Sequence, residues 1–244
     1  MALGTPSRHL EAVDSTMTEA ARWGADGAPH GAVVTAQAQR HGRGRHGRVW
    51  QSEPSQNLLF TVVLRPDLEA DRLGLIPLAA GLAVAEAVAA FGVTASLKWP
   101  NDVRVNGQKL AGVLAESSRS ASGAVVLLGV GLNVTQTSFP DLEGATSLRM
   151  ITGRHLAPLS VLDPILDRLT IHLDALSSGP SDVTSAVDQR LERPESPVEV
   201  RDPATGDVST RGRILGLAPD GGLRLDTDTG ERVVYAGEVT LSRS

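Results

Sequence analysis

The sequence predicts an α+β fold in which a central mixed β-sheet is packed by helices and a small β-barrel follows. Residues 57–64, NLLFTVVL, are rich in branched apolar side chains, which is typical of a buried strand. Residues 73–91 are Ala-rich and apolar on nearly all sides, which indicates a long helix packed against a sheet. From Val198 onward, short alternating stretches separated by tight turns predict a barrel of about 45 residues.

Composition limits the classes of protein to consider. The chain has 244 residues, a net charge of −5 and no cysteine. The absence of cysteine excludes a disulfide framework, a thiolate metal site and a cysteine nucleophile. The acidic balance argues against a dedicated nucleic-acid binder. We find no stretch that approaches the ~20 apolar residues of a membrane span and no apolar signal core, so we expect a cytoplasmic location and no membrane partner.

The first elements are a helix and a strand. Thr16 and Glu19 have the spacing of a capping box, so a helix should begin there and run through Trp23. Residues 31–39 contain a short apolar run and predict a strand. That strand leads into residues 42–50, GRGRHGRVW, which we call the Gly–Arg loop. The buried strand and the long helix follow the loop.

A β-meander is predicted next. Residues 103–105 lead into Asn106-Gly107, a strong type I′ turn signal because both residues must tolerate positive φ. Residues 108–116 return from this turn, and residues 124–134, AVVLLGVGLNV, pair as a third strand. Gly129 and Gly131 on that strand have no side chains, so another group can approach its backbone closely.

A helical layer is predicted before the barrel. Six apolar residues fall on one helical face: Leu162, Ile165, Leu166, Leu169, Leu173 and Leu176. Asp163 and Pro164 suit the N-cap and first position of this helix, although Ser160 could start it earlier. A second helical stretch ends near Arg193, and the prolines that follow mark a boundary. We therefore predict one domain over residues 1–195 and a second over residues 196–244.

The Gly–Arg loop has the composition of an anion-binding element. Four arginines lie within residues 40–48 with no acidic residue among them, and three glycines are interleaved. Glycines let backbone N–H groups face a ligand, and arginines make charge-assisted bonds to carboxylate and phosphate. We therefore expect a loop that grips a nucleoside phosphate and stays mobile until the anion arrives. A solvated basic loop and an RNA-contacting segment are the alternatives.

Residues 98–116, KWPNDVRVNGQKLAGVLAE, hold both lysines of the chain, Lys98 and Lys109. Lys109 comes just after the predicted turn, where a strand would present it to one face of the sheet. An ammonium is a compact point charge, whereas a guanidinium is a planar fork. Because the chain has 21 arginines and only these two lysines, the lysines suggest that ammonium groups are needed here. Codon usage explains the arginine bias as well. Taken alone, Lys109 could equally be a surface residue.

These motifs, in this order, closely resemble those of the biotin protein ligases. The resemblance covers nearly the whole chain, and GRGRxGR followed by KWPND and KLAG is highly specific for that family. The matching segments are VDST at 13–16, Gln39, GRGRHGR at 42–48, KWPND at 98–102, KLAGVLAE at 109–116, GVGLNV at 129–134 and ATSL at 145–148.

The resemblance implies a fold similar to class II aminoacyl-tRNA synthetases with a C-terminal SH3-like barrel, and a two-step reaction. Biotin would first be activated by ATP to biotinyl-5′-AMP. It would then be transferred to a lysine of a biotin carboxyl carrier protein domain of acetyl-CoA or acyl-CoA carboxylase. The cofactors implied are ATP and Mg²⁺, with Mg²⁺ held through the ATP phosphates rather than by a dedicated protein site. Biotin would be the substrate.

The resemblance also assigns residues to these roles. The catalytic residues would be Lys109, Arg45 and Asp102, with Asp102 orienting Lys109 or helping to deprotonate the carrier lysine. The biotin-binding residues would be Ser15, Thr16, Gln39, Gly42, Arg43, Gly44, Arg45, Lys109, Gly112, Gly129 and Gly131. The ATP-binding residues would be Arg43, Arg45, Arg48, Trp50, Asn101, Lys109 and Asn133. The closed Gly–Arg loop would protect the mixed anhydride from water.

Two departures and several alternatives accompany this resemblance. Met17 stands where the family usually has Asn, so a polar contact near the ligand is lost or replaced. About a dozen residues precede VDST, so we expect a ligase without a DNA-binding domain, no DNA partner, and possible homodimerisation. The nearest alternative is a lipoate or octanoate ligase, which should lack the GRGRxGR form of the loop. A biotin-responsive transcription regulator and an RNA-binding protein are more distant alternatives.

Overall fold

The computed structural model describes residues 3–120, 123–140 and 142–242. The strands are Ser7–Val13 (β1), Ala32–Gln39 (β2), Asn57–Leu64 (β3), Ser96–Lys98 (β4), Asp102–Val105 (β5), Gln108–Ser120 (β6), Gly123–Asn133 (β7), Val198–Arg201 (β8), Val208–Leu217 (β9), Leu223–Thr227 (β10), Gly230–Val234 (β11) and Glu238–Leu241 (β12). The α-helices are Thr16–Ala25 (α1), Ile76–Ala89 (α2), Leu148–Thr152 (α3), Leu162–Ser178 (α4) and Ser181–Arg190 (α5).

The described strands form two sheets. The first has seven strands in the order β1-β2-β3-β7-β6-β5-β4. Strands β1 and β2 are parallel and the other neighbouring pairs are antiparallel, so the sheet is mixed, as predicted. The second sheet is antiparallel with the order β11-β10-β9-β8-β12. The α+β class and the β-rich C-terminal region predicted from the sequence are therefore confirmed.

The core explains why the long apolar segments lie where they do. All eight residues of β3 are buried, because helices cover this strand on both faces of the sheet. Helix α2 packs against α4 and α5 on one side and the sheet on the other, with eleven of its fourteen residues buried. Val200 and Leu223 of the C-terminal sheet belong to the same apolar cluster as α2. The second sheet is therefore docked on the first through shared core packing.

The expectation that no stretch approaches the length of a membrane span is corrected at helix α2. Together with the 3₁₀ turn Ala70–Leu75, α2 forms a helical stretch, Ala70–Ala89, that is long and apolar enough to cross a membrane by length and composition alone. In the fold, 67% of its most apolar window is buried within the protein. Such burial is typical of a core helix that packs against other elements on most of its sides, and it explains why the segment is so apolar.

The predicted β-turn is confirmed, whereas the predicted capping box is not. Asn106 and Gly107 have φ values of 49° and 76°, as a type I′ turn between β5 and β6 requires. Helix α1 begins at Thr16 as predicted, but its cap is Ser15, whose Oγ accepts a hydrogen bond from the N–H of Met17. The predicted capping box is not formed, because the Thr16 hydroxyl turns away from the helix end to the β2 side.

Other boundaries differ from the predictions for physical reasons. Helix α4 begins at Leu162, directly after the 3₁₀ turn Pro158–Val161, and Asp163 is not its cap. Continuation of that turn into the helix removes the need for a capping side chain. Strand β1 was not predicted, because an edge strand with mostly exposed residues has no apolar alternation. The short elements β4 and α3 were also missed.

Candidate active site

A cavity of about 330 Å³ lies over the face of β6 and β7. Its floor includes three glycines, Gly112, Gly129 and Gly131, and its walls come from the start of α1, the Gly–Arg loop, the β4–β5 segment and the C-terminal sheet. It is larger than a second cavity, of about 240 Å³, that lies near His30 and Asp174. The glycine floor, the basic loop and both lysines therefore meet at one place.

The glycines of the floor are required by close packing. A Cβ on Gly131 would overlap the indole of Trp50, and one on Gly112 would lie 3.0 Å from the same ring. A Cβ on Gly129 would lie 3.0 Å from Sδ of Met17. The prediction that other groups approach this backbone closely is confirmed for Gly129 and Gly131. The approaching groups are Trp50, at the end of the Gly–Arg loop, and Met17.

The Gly–Arg loop folds back on itself as a tight hairpin. The N–H of Gly44 donates to the carbonyl of Arg48 at 2.7 Å, and the N–H of Trp50 donates to the carbonyl of Gly42 at 3.0 Å. A Cβ on Gly42 would overlap the carbonyl oxygen of Trp50, so this position needs glycine. His46 and Gly47 both have positive φ at the tip. The sequence of the loop therefore specifies a compact fold over the cavity.

Two arginines tie this loop to other elements. Arg43 pairs with Glu116 on β6 at 2.6 Å. Arg48 donates to both carboxylate oxygens of Glu238 on β12, with 2.8 Å between Nη1 and Oε1. The hydrogen bond from Arg48 lowers the pKa of Glu238 and outweighs the opposing effect of burial, so the carboxylate stays charged. The loop is thus attached to both sheets.

The inner end of the cavity holds a second set of charges. Nζ of Lys109 on β6 lies 2.7 Å from Oδ1 of Asp102 on β5, the neighbouring strand of the same hairpin. Nη1 of Arg45 donates to Oδ1 of Asn101 at 3.2 Å. The amide of Asn101 is itself fixed by a 2.8 Å bond to the carbonyl of Val113. Burial lowers the pKa of Arg45, while Asp102 and Glu238 oppose that effect.

Residues 144–146 hold Lys109 in place through hydrogen bonds to its backbone. The N–H of Lys109 donates to the carbonyl of Gly144 at 2.6 Å, and the N–H of Thr146 donates to the carbonyl of Lys109 at 2.9 Å. The carbonyl of Thr146 also accepts the amide of Asn133 at 3.0 Å. The ATSL motif therefore positions two predicted site residues at once. The Lys109 ammonium also lies 5.6 Å from the centre of the Trp50 ring.

A neutral polar cluster also lines the cavity. Oε1 of Gln39 accepts from the N–H of Thr16 at 2.8 Å and from its hydroxyl at 3.1 Å. The hydroxyl of Thr61 donates to Oγ1 of Thr16 at 2.8 Å. Because the Gln39 oxygen is occupied, its NH₂ group is the part available to a ligand. The hydroxyl of Ser15 also remains available as a donor, since its oxygen only accepts from Met17.

Buried polar atoms without partners also point to ligand binding. Among the described residues, three buried side-chain atoms have no hydrogen-bond partner: Nε1 of Trp50, Oγ of Ser52 and Oδ1 of Asn133. Trp50 and Asn133 both line the cavity. An unsatisfied buried polar group costs on the order of 1–3 kcal/mol, so a bound ligand that pairs with these atoms would recover that free energy.

The structure brings nearly all of the predicted site residues together. Those lining the cavity are Ser15, Thr16, Gln39, Arg43, Gly44, Arg45, Arg48, Trp50, Asn101, Asp102, Lys109, Gly112, Gly129, Gly131 and Asn133. Gly42 shapes the loop beside it instead. Sequence reasoning assigned no role to Lys98 or Glu238, which also line the cavity. A single glutamate in a β-rich tail gave no signal, and only the docking of the C-terminal sheet brings Glu238 here.

No dedicated metal cage is visible in the part of the chain that the structure describes. Across residues 3–120, 123–140 and 142–242, no group of three or more His, Cys, Asp or Glu side chains could hold a metal ion.

Comparisons with known proteins match both regions of the chain. The family model described as "Biotin/lipoate A/B protein ligase family" matches residues 10–133, and "Biotin protein ligase C terminal domain" matches residues 195–242. A biotin–[acetyl-CoA-carboxylase] ligase of Paracoccus denitrificans is 37% identical, over 94% of this chain and 98% of the relative. The bifunctional ligase/repressor BirA of Bacillus spizizenii is 31% identical, over 96% of this chain and 73% of the relative.

A solved structure gives the same picture in three dimensions. The biotin protein ligase from Aquifex aeolicus in complex with biotin and ATP superimposes with a TM-score of 0.85. It is 30% identical in sequence, and the match covers 98% of this chain and 100% of that chain. The similarity therefore extends over both sheets and the cavity between them.

Proposed function

This chain belongs to the Biotin/lipoate A/B protein ligase family, and on that premise we propose that it activates biotin with ATP and transfers it to a carrier protein. The enzyme is a biotin–[biotin carboxyl carrier protein] ligase that forms AMP and diphosphate. The observation that carries this conclusion is a single cavity with a neutral hydrogen-bonding end, at Thr16 and Gln39, and a cationic end, at Arg45 and Lys109. Biotin has the same two ends, a ureido ring and a carboxylate.

The neutral end binds the ureido ring. The Gln39 NH₂ and the Ser15 hydroxyl donate hydrogen bonds to the ureido oxygen, and Oγ1 of Thr16, whose proton is donated to Gln39, accepts from a ureido N–H. A ligand without those groups would leave buried polar atoms unpaired, so this end sets specificity. The bare backbone at Gly112 and Gly131 lets the Trp50 indole lie directly against the sheet, so the rest of the ligand occupies the cavity beside this ring.

The cationic end carries out the first step. A biotin carboxylate oxygen attacks the α-phosphorus of ATP, the bond between that phosphorus and the bridging oxygen breaks, and diphosphate leaves with the electron pair. Two anions must meet, so preorganised positive charge lowers the barrier. Lys109 lies where the carboxylate and the α-phosphate meet, and Arg45 contacts the adenylate phosphate. Arg43, Gly44 and the folded Gly–Arg loop cover the product.

The second step requires a neutral amine. The carrier lysine attacks the carbonyl of biotinyl-5′-AMP, forms the amide and releases AMP, with one proton lost from the attacking nitrogen. Asp102 holds the Lys109 ammonium at 2.7 Å and so orients it for the first step. The same carboxylate lies beside the reacting carbonyl and helps to remove the proton in the second step.

The nucleotide occupies the remaining polar groups. Arg48, Trp50, Asn101 and Asn133 line the part of the cavity beside Arg45 and Lys109. The unpartnered Oδ1 of Asn133 is a hard oxygen donor and fits Mg²⁺ bound mainly by phosphates and water. When bound, Mg²⁺ would neutralise part of the phosphate charge.

The carrier partner follows from the relatives. The Paracoccus protein is named for its action on acetyl-CoA carboxylase. We therefore propose a biotin carboxyl carrier protein domain of that carboxylase class as the partner, with no DNA or membrane partner. A cytoplasmic location and the capacity to form a homodimer are part of the same proposal.

Finer features of the fold are also proposals. We infer that the five-stranded C-terminal sheet is an SH3-like barrel, since its five short antiparallel strands are joined mostly by tight turns. We also infer that the larger sheet follows the class II aminoacyl-tRNA synthetase pattern. The division into domains at residues 1–195 and 196–244 agrees with the gap between Arg190 and Val198, which separates the two sets of elements.

Biotin-dependent exchange of labelled diphosphate into ATP tests this function on the purified protein. Exchange with biotin, and little with lipoate or octanoate at equal concentration, is the expected result. The lipoate or octanoate ligase alternative is not favoured, because the matched relatives and the superimposed complex are biotin ligases. Preferential exchange with lipoate would overturn the biotin assignment, and no exchange with any of the three acids would overturn the function.

A further inference from the structure

Lys98 is a cavity residue to which the proposed reaction has so far given no role. It is the last residue of β4, half-buried, and it lines the same cavity as Lys109. The register between β4 and β5 places it directly opposite Asp102. Lys98 on β4 and Lys109 on β6 therefore lie on either side of the Asp102 carboxylate, which belongs to β5, the strand between them.

Lys98 differs from the other strong cations of the cavity in having no partner. Each of Arg43, Arg48 and Lys109 makes an ion pair, and Arg45 donates to an amide oxygen. Within the described ranges, the Lys98 ammonium makes no hydrogen bond and no ion pair within 4.0 Å, and only the backbone of this residue pairs with Asp102 in the sheet. The nearby carboxylates are already bound, Asp102 by Lys109 and Glu238 by Arg48.

The surroundings of Lys98 partly desolvate its ammonium. Burial lowers the pKa of Lys98, and the attraction of Asp102 offsets this only in part, with Arg104 adding repulsion. A half-buried ammonium without a hydrogen-bonded anion is unfavourable. A polyanionic substrate group that enters the cavity would supply the missing partner.

We propose that Lys98 binds the β- and γ-phosphates of ATP and then the diphosphate that leaves. This inference rests on the proposed function, and it adds a residue that acts on the leaving group. As the bond between the α-phosphorus and the bridging oxygen breaks, the electron pair passes to diphosphate. The Lys98 ammonium neutralises that growing charge without forming a covalent bond, while Lys109 and Arg45 act at the α-phosphate.

Separate measurement of the two half-reactions tests this role. Lys98→Met should raise the KM for diphosphate in the exchange reaction, and the KM for ATP, each by about tenfold or more, the usual effect of losing one charged hydrogen bond. Transfer from supplied biotinyl-5′-AMP to the carrier should stay within about twofold of the unmodified chain, because the adenylate has no β- or γ-phosphate. Lys98→Arg should recover part of the loss, since it keeps the charge.

Arg104→Met provides the matched control. Arg104 lies on the neighbouring strand, pairs with Glu192, and does not line the cavity. The Arg104→Met substitution removes one positive charge from the same sheet, so an effect of the lost charge alone would appear in both variants. The expected KM values of this control are those of the unmodified chain, and thermal unfolding of all variants verifies that they are folded.

Two outcomes would overturn the inference. Unchanged KM values in Lys98→Met would show that the residue does not contact the phosphates. An equal loss in both half-reactions would show a structural effect. If Lys98→Met does not fold, Lys98→Gln takes its place, and the same split between the half-reactions is required. Failure of the proposed function is distinguishable, because the unmodified chain would then show no biotin-dependent exchange.

Discussion

The carboxylate of Glu238 in the C-terminal sheet accepts a 2.8 Å hydrogen bond from the guanidinium of Arg48 in the Gly–Arg loop. These residues are 190 positions apart in the sequence. Because Arg48 belongs to the segment that covers the cavity, the small sheet helps to hold that segment over the cavity. The indole N–H of Trp99 fixes the same sheet by donating to the carbonyl of Gly221 at 3.1 Å.

Glu238→Gln should loosen the Gly–Arg loop. Both partners are partly exposed, so the pair contributes on the order of 0.2–1 kcal/mol, and we expect biotinyl-5′-AMP to dissociate roughly two to five times faster. Stopped-flow measurement of adenylate release gives this rate. Glu231→Gln is the control, because Glu231 pairs with Arg224 in the same sheet away from the cavity. Equal release from Glu238→Gln and the unmodified chain would contradict a role in closure.

The contribution of this ion pair should depend on pH only in acid. The Arg48 hydrogen bond lowers the pKa of Glu238 below its ordinary value of 4.5. The stabilisation is therefore fully present above about pH 4.5 and is lost as the pH falls through the lowered pKa. The ratio of adenylate release rates between Glu238→Gln and the unmodified chain should be constant from pH 6 to pH 8. A ratio that changes across that range would require another titrating group.

Lys109→Ala and Arg45→Ala should each reduce adenylate formation by about 10²–10³-fold, because each removes a preorganised charge from the transition state. Both side chains are partly exposed, so the fold should persist in each variant. Rapid-quench measurement of biotinyl-5′-AMP formation gives the rate, and circular dichroism verifies folding. Near-normal biotin-dependent exchange in both variants would contradict the roles assigned to them.

Gly131→Ala should displace the Trp50 indole from the floor of the cavity, because the added Cβ would overlap the ring. Biotin affinity should fall by about tenfold or more, in the range expected for overpacking a buried site, and tryptophan fluorescence should change. Isothermal titration with biotin measures the first effect. Gly74→Ala is the control, since a Cβ there meets nothing within 4 Å. Unchanged biotin affinity in Gly131→Ala would contradict the placement of the ligand beside the Trp50 indole.

The sequence alone determined the elements that depend on local chemistry. The continuous apolar run of β3 and the Ala-rich composition of α2 each predicted a buried element, and each lies where the pattern placed it. The Asn106-Gly107 turn followed from the positive φ that both residues adopt. The spaced motifs also identified the family and the substrate. These features persist because burial and turn geometry depend on residues close together along the chain.

Only the tertiary structure decided how distant charges are paired. The pairing of Arg48 with Glu238 and the lack of a partner for Lys98 could not be read from the sequence, in which each is one charged residue among many. The contact between Lys109 and Asp102, in contrast, was expected from the family resemblance. Ion pairing depends on distances of a few ångströms, and these arise only when the two sheets dock through their shared apolar core. The same docking brings Glu238 over a cavity whose other residues come from the first 145 positions of the chain or from the neighbouring Val239.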